Sequence, residues 1–270
     1  MGMDDFRFRD LRPVGKRVHR LGLSLNYGID ADGLRAAADR GVGYFFWPQS
    51  AAGMGRALKD LFASGRDRHV VATGPTLGFF GGSVRRSAER ALKALGTDYL
   101  DVFQLFWVGK ASSISEGTLG ELVRLKEAGK VRAIGVSIHD RARAGKLAVD
   151  SPLDVLMIRY NAAHPAAERD IFPHLAARRP VVVAYTATAW RGLLKKPSGW
   201  EGPVMTPGDC YRFCLSSPHV DVTLCGARSL AELDQNLAAI EKGPLAADDA
   251  WMRDFGEVVH DHGPKLAWSF

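Results

Sequence analysis

Residues 119–137, LGELVRLKEAGKVRAIGVS, decide the fold of this 270-residue chain. Apolar residues recur at helical spacing up to Ala128, Gly129 supplies a helix stop, and a continuous apolar run follows from Val131. An apolar run without strict alternation is typical of a strand that is buried on both faces, as in a parallel sheet. The segment therefore predicts one helix–strand unit of an α/β fold.

The same unit recurs along the chain, and eight segments have the character of buried strands. They are residues 20–24, 42–47, 69–74, 101–107, 131–137, 155–161, 181–187 and 222–226. Helical patterns cover residues 30–40, 83–95, 119–128, 166–178, 207–215 and 229–241, and residues 246–260 predict an added C-terminal helix. Eight such units favour closure into a (β/α)8 barrel of the TIM type over an open sheet. We predict a single domain over residues 1–270, with the barrel core at about residues 18–245.

The composition narrows the classes of function that such a barrel could carry. Hydrophobic residues make up 46% and charged residues 24% of the chain, the balance of an ordinary globular domain. Three cysteines cannot form a disulfide framework, and no apolar run approaches the ~18 residues of a membrane span. The net charge of +6 is thinly spread, without the coherent basic face that nucleic-acid binding requires. We expect a cytoplasmic protein that binds a small molecule, with no nucleic acid, membrane or metal; a protein partner stays open.

Four blocks of sequence bear on function. They are LGTDYLDV (95–102), KEAGKVRAIGVS (126–137), AYT (184–186) and LCGARSLAELDQN (224–236). In order and spacing these blocks resemble the aldo/keto reductase superfamily over about residues 18–245. The resemblance implies a TIM-type barrel and NADPH-dependent reduction of carbonyls, in which a tyrosine acid works with a lysine–aspartate pair and a histidine. No GxGxxG motif follows the first strand, so a Rossmann dinucleotide site has no support.

The four positions of that catalytic tetrad carry different residues here. By resemblance, Trp47 stands for the aspartate, Ala52 for the tyrosine, Gly74 for the lysine and Phe106 for the histidine. Joint loss of a buried Lys–Asp pair avoids the roughly 3–5 kcal/mol that a stranded charge costs. We therefore expect an apolar cavity floor and no ordinary carbonyl reduction, because a lost general acid alone lowers the rate about 10²–10⁴-fold. Lys110 could reach the barrel mouth from a loop.

The positions that face the cofactor in relatives are partly kept. By resemblance, Tyr185 would stack on the nicotinamide ring and Ser137 would hold its carboxamide. Ile138 and Met157 stand where asparagine and glutamine are usual, which leaves the use of NADP open. Tyr185 could equally be an aromatic residue of the barrel rim.

A second group of cofactor candidates lies at the start of the helix after the last strand. Gly226, Arg228 and Ser229 open that helix, whose free N–H groups and dipole suit a phosphate. By resemblance, Asn236 falls where relatives contact the adenosine end. Alternatively, Ser229 is a plain helix cap and Arg228 a solvated surface residue.

Polar residues after the fifth and sixth strands are the candidates for catalysis. They are His139, Arg159, Tyr160 and Asn161. Arg159 shares a strand face with Met157 because side chains alternate, so we expect it to point into the pocket and to meet an anionic ligand or Asp140. Two hypotheses follow: altered chemistry on a small ligand, anionic ones included, or a non-catalytic barrel that binds a nucleotide, small molecule or protein as a sensor or accessory subunit.

Overall fold

The strands were located in a computed structural model that describes residues 2–75, 81–109, 114–246 and 249–262. β1 (Phe8–Leu11) and β2 (Lys16–His19) form an antiparallel pair. The barrel consists of β3 (Leu21–Ser24), β4 (Tyr44–Phe46), β5 (Val70–Thr73), β6 (Leu100–Val108), β7 (Val131–Ile138), β8 (Val155–Arg159), β9 (Val181–Tyr185) and β10 (Val222–Cys225). These eight strands are parallel neighbours in chain order, and β10 pairs with β3 to close the circle. The predicted (β/α)8 barrel is confirmed.

Helices alternate with the barrel strands and cover the outside. They are α1 (Met3–Arg7), α2 (Ala31–Asp39), α3 (Ala52–Ala63), α4 (Gly81–Leu95), α5 (Glu116–Glu127), α6 (Arg141–Asp150), α7 (Ala167–Asp170), α8 (Pro207–Ser216), α9 (Leu230–Ile240) and the added C-terminal helix α10 (Trp251–His262). One helix was predicted over residues 166–178, but α7 is followed there by a 3-10 helix, Phe172–Ala177, with Pro173 in its first turn. Proline removes a backbone donor, so it starts a new helix more readily than it continues one.

Side chains of the barrel strands alternate between two apolar regions. Those pointing inward, such as Val102, Ala133, Val155 and Val183, fill the interior of the barrel. Those pointing outward pack beneath the helices in a second, larger core. Because both faces of each strand are buried, the strands lack polar alternation, which explains the continuous apolar runs in the sequence.

The N-terminal hairpin β1–β2 covers the base of the barrel, where the strands begin. Its Lys16 Nζ donates to Asp101 Oδ1 at 2.7 Å, and Arg66 donates to Asp101 Oδ2 at 2.6 Å. The backbone N–H of Val71 donates to the same Oδ2 at 3.0 Å. Asp101 is fully buried, so the base holds an ion cluster whose carboxylate has a donor for each oxygen.

Among the described helices, none combines the length and the apolar character needed to cross a lipid bilayer.

Candidate functional site at the barrel mouth

A cavity of about 700 Å³ opens at the C-terminal ends of the barrel strands. Its floor includes Phe46, Phe106 and Met157, and its far arm reaches the first turns of α9 at Asn236. This end of a TIM-type barrel is where ligands bind, because the loops that follow the strands converge there. The cavity is therefore the candidate site.

Aromatic side chains form the floor. The rings of Phe46 and Phe106 lie 5.2 Å apart, centroid to centroid, and Phe106 contacts the Trp107 ring at 6.0 Å. The prediction that Phe106 belongs to the floor agrees with this placement. No charged side chain is found between these rings among the described residues that line the cavity.

Two of the expected floor residues lie elsewhere. Trp47 points outward into the core beneath the helices, where its indole Nε1 donates to the carbonyl of Ala51 at 3.0 Å. Ala52 is exposed in the first turn of α3. Because neighbouring residues of a strand point to opposite faces, Phe46 takes the inward position that was assigned to Trp47. The floor is apolar as expected, but Trp47 and Ala52 are not part of it.

Gly74 explains why no side chain rises from the end of β5. A Cβ atom at this residue would lie 1.7 Å from the carbonyl oxygen of Gln104 on β6. Since that contact is with backbone, a side chain here would have to push the two strands apart. The position that resemblance assigns to a lysine is thus closed by the neighbouring strand.

The hydroxyl of Tyr185 is held at the wall of the cavity by His139, which follows the end of β7. It lies 2.9 Å from Nδ1 of His139, and Ser137 lines the same cavity. Burial raises the pKa of Tyr185 well above its usual value, and burial together with the Arg159 charge lowers the pKa of His139. The structure therefore brings the predicted Ser137, His139 and Tyr185 together.

Arg159 lies beside the cavity rather than in its lining. It pairs in register with Tyr185 on the next strand, and its guanidinium sits 5.9 Å from the ring centroid of Trp190. Tyr185 and Trp190 form the cavity wall on this side. Arg159 shares the inward face of its strand with Met157, as expected, but it is not among the residues that line the cavity. Asp140, suggested as its partner, caps α6 by accepting from the N–H of Arg143.

Tyr160 and Asn161 also differ from expectation. The Tyr160 hydroxyl donates to Glu168 at 2.6 Å on the outer side of the barrel, away from the mouth. Asn161 is fully buried and donates from Nδ2 to the carbonyl of Thr186 at 2.8 Å, while its Oδ1 lies 3.0 Å from His164 Nδ1. Both residues support the scaffold around the mouth, and neither touches the cavity.

The far arm of the cavity runs along the start of α9. Gly226, Arg228 and Asn236, which were predicted to bind the cofactor, all line it. Ser229 is the N-cap of α9, with its side chain accepting from the N–H of Glu232. Glu232 in turn accepts from the backbone N–H of Arg228 at 2.9 Å and lies 3.6 Å from its guanidinium. Ser229 is therefore a helix cap, which was the alternative to its predicted role in binding the cofactor.

The rim contains features that sequence reasoning only partly found. Trp190 and Trp107 are large, exposed aromatic residues at the mouth, and Tyr27 is a third. Trp107, Thr186 and Trp190 adopt φ values of 51–55°, which non-glycine residues rarely do. The length and the aromatic content of the stretch over residues 190–200 predict a lid or a recognition surface. No sequence signal marks Tyr27. Lys110 lies outside the described residues.

Within the described part of the chain, no cluster of three or more His, Cys, Asp or Glu side chains is arranged to hold a metal ion. The cysteines at positions 210, 214 and 225 are all buried and free.

Comparison with known proteins identifies the family of this chain. The profile described as "Aldo/keto reductase family" matches residues 44–209, more than half of the chain. The aldo-keto reductase YhdN of Bacillus subtilis (strain 168) is 30% identical over 176 residues, covering 60% of this chain and 52% of that protein. The match thus spans about half the length of this relative.

Solved structures agree on the fold. An aldo-keto reductase from Klebsiella pneumoniae in complex with NADPH superposes with a TM-score of 0.78 at 20% identity, covering 97% of this chain and 98% of that one. The apo form of the aldo-keto reductase AKR11C1 from Bacillus halodurans gives a TM-score of 0.77 at 20% identity, with coverage of 98% and 99%. At this identity the likeness extends to the architecture alone.

Proposed function

Since the chain belongs to the aldo/keto reductase family, we propose that its barrel mouth binds NADP(H) and acts on a small ligand by chemistry other than tyrosine-dependent carbonyl reduction. The observation that carries the proposal is that one cavity combines polar, cofactor-type wall residues with an apolar floor. Its cofactor-facing wall keeps Ser137, Tyr185 and Asn236, whereas its floor is Phe46 and Phe106.

The residues present fit a dinucleotide. Tyr185 presents a ring at the wall, and Asn236 lies at the other end of the same continuous cavity, next to the N-terminus of α9. Arg191 and Arg228 line this cavity and provide positive charge for phosphate groups. An NADPH complex of a structurally similar Klebsiella pneumoniae protein supports the same choice of ligand.

When bound, the dinucleotide would supply a hydride. Around it, Tyr185 and Ser137 would orient the ring, and the Phe46 and Phe106 rings would exclude water from the floor. A carbonyl that gains a hydride also needs a proton, and the floor has no donor among the described residues. Removal of a positioned acid costs about 10²–10⁴-fold in rate, so ordinary aldehydes should be poor substrates.

Anionic ligands fit the site better than cations do. Among the described residues that line the cavity, Arg191 and Arg228 stand against one carboxylate, that of Glu232. Arg159 lies next to Tyr185 on the neighbouring strand. Glu232 is itself held by Arg228. The mouth therefore has a surplus of positive charge, which favours a negatively charged substrate or the phosphates of the dinucleotide itself.

A titration with NADPH, followed by its fluorescence, tests the binding half of the proposal. We expect saturable binding that weakens when Asn236→Ala removes a polar group from the arm. Arg35→Gln, which changes an exposed residue of α2 away from the mouth, serves as the matched control. Failure of NADPH to bind at millimolar concentration would refute this half.

Turnover of a panel of simple aldehydes tests the other half. We expect NADPH consumption close to the uncatalysed background for every aldehyde. Rapid reduction would show that the mouth contains a working proton donor and would refute this half of the proposal.

A non-catalytic barrel is the second candidate, and the closed position at Gly74 favours it. The backbone contact with Gln104 leaves no room for a cationic side chain that could tune an acid. Under this alternative, a ligand would raise the midpoint of thermal unfolding without being consumed. Conversion of any ligand that also stabilises the fold would favour the catalytic reading.

A further inference from the structure

The hydroxyl of Tyr185 is fixed by His139, which follows the end of β7. His139 Nδ1 lies 2.9 Å away, and its ring meets the tyrosine edge-on at 85°. The backbone of His139 is anchored in turn, because its N–H donates to the carbonyl of Val108 at 3.0 Å. The imidazole is thus a fixed point against which the tyrosine ring is oriented.

His139 is suited to this role at neutral pH. Burial and the positive charge of Arg159 lower its pKa, so the ring is neutral and has one nitrogen free to accept a hydrogen bond. The side chain is half-buried and stands behind the tyrosine rather than in the cavity lining. Its contact with a ligand is therefore indirect.

Orientation matters for a ring that must stack on a flat ligand. The hydroxyl oxygen lies on the axis of the outer torsion of the tyrosine, so its hydrogen bond fixes the swing of the whole ring about the inner torsion. Rotation about the outer torsion, whose energy well is broad, is restricted by the edge-on contact with the His139 ring. Both restrictions are present before any ligand arrives. A site that is already in its bound shape loses less entropy on binding and so binds more tightly.

We propose that His139 is a positioning residue that sets the ring plane of Tyr185 and thereby the affinity of the barrel for the nicotinamide end of the dinucleotide. This inference rests on the proposed binding of NADP(H). It assigns His139 to cofactor orientation rather than to proton transfer with a substrate.

A double-mutant cycle tests the proposal, with the dissociation constant of NADPH as the readout. His139→Leu removes the hydrogen bond at similar size, Tyr185→Phe removes the hydroxyl, and His139→Gln keeps a group that can hydrogen-bond. We expect the first two to weaken binding about 3- to 10-fold, the range of one hydrogen bond, and His139→Gln to stay within about 2-fold. The double variant His139→Leu with Tyr185→Phe should be no weaker than either single one.

His164→Gln is the matched control, since His164 also feels the charge of Arg159 but hydrogen-bonds Asn161 instead of Tyr185. It should leave NADPH affinity within about 2-fold, because no hydrogen bond to the tyrosine is lost. If His139→Leu does not fold, Tyr185→Phe alone decides the matter, because unchanged affinity would overturn the inference.

The two proposals fail in different ways. Wild-type protein that does not bind NADPH would overturn both. Wild-type binding with equal affinity in all variants, or effects of the two substitutions that add in the double variant, would overturn only the role of His139.

Discussion

At the base of the barrel the carboxylate of Asp101 is fully buried between Lys16 and Arg66, whereas at the mouth the floor consists of Phe46, Phe106 and Met157 without a charged group among the described residues. The two regions lie at opposite ends of one barrel. The base shows that this fold can bury charge when each oxygen has a donor. The apolar floor is therefore a property of the side chains at the mouth, and it distinguishes the base from the end at which we propose that the ligand binds.

Asp101→Asn should disrupt the ion cluster at the base of the barrel and should have the largest effect on stability. The change leaves Lys16 and Arg66 without their buried counter-charge, and we expect a loss of about 3–5 kcal/mol in the free energy of unfolding. Urea denaturation measures it. Asp234→Asn, in an exposed pair with Arg40, is the control and should cost below about 1 kcal/mol. Equal losses in both variants would contradict the contrast.

Lowering the pH should destabilise the folded protein by protonating His69, which lies at the base of the barrel. This histidine is buried between Phe45 and Phe62, and burial with nearby cationic groups lowers its pKa to about 4. Because its folded pKa is below the unfolded value of about 6.5, the unfolded chain binds more protons between these two values. The free energy of unfolding should fall by roughly 2–4 kcal/mol from pH 6.5 to pH 4 and level off below.

Chemical denaturation at a series of pH values measures that slope. His69→Phe supplies the comparison, since it keeps an aromatic ring and removes the titrating group. If the free energy of unfolding of His69→Phe depends on pH as steeply as that of the wild type, the sensitivity to acid arises from other groups.

Gly74→Ala should disturb the contact between the end of β5 and β6. The added Cβ would press against the carbonyl of Gln104, so we expect a loss of about 1–3 kcal/mol. Gly82→Ala is matched to it, because a Cβ at Gly82 in α4 meets nothing within 4 Å and alanine favours a helix. Thermal unfolding compares the two variants. A stable Gly74→Ala protein would mean that the gap between β5 and β6 opens easily.

Met157→Leu should have the smallest effect on stability, and it tests whether the floor depends on packing or on polar contacts. The side chain is almost fully buried, and leucine nearly conserves its volume, so the loss should stay below about 1.5 kcal/mol. The exchange removes the sulfur that accepts from Gln104 Nε2 at 3.1 Å. NADPH affinity and stability should both stay close to wild type. A loss comparable with that of Asp101→Asn would show that polar contacts dominate at the mouth too.

Much of the fold could be predicted because strands buried on both faces leave continuous apolar runs. The exceptions have local causes. α6 was missed because Arg141, Arg143 and Lys146 interrupt its apolar pattern, and the hairpin β1–β2 was missed because its residues are largely polar. The helices α1 and α3 were not among the predicted helical patterns either. The break after α7 follows from Pro173, which the helical pattern over residues 166–178 did not take into account.

The candidate site was predicted less completely, and the reason is the same apolar pattern. In Phe45, Phe46 and Trp47 every residue is hydrophobic, so hydrophobicity carries no information on which of them points inward. The residues assigned to cofactor binding fared better, since Ser137, Tyr185 and Asn236 all line the cavity. Their roles in binding and the roles of His139 and Arg159 in catalysis stay predictions.

The amino-acid sequence by itself determined the alternation of helices and strands and the lack of ionisable residues at the ends of the second, third and fourth barrel strands. Only the tertiary structure decided that Phe46 faces the cavity, that Gln104 closes the space over Gly74, and that His139 reaches Tyr185. Each of these contacts joins residues on different strands or depends on which face of a strand a side chain takes. Closure of the barrel sets both, because packing eight twisted strands into one ring fixes their register and the direction of every side chain.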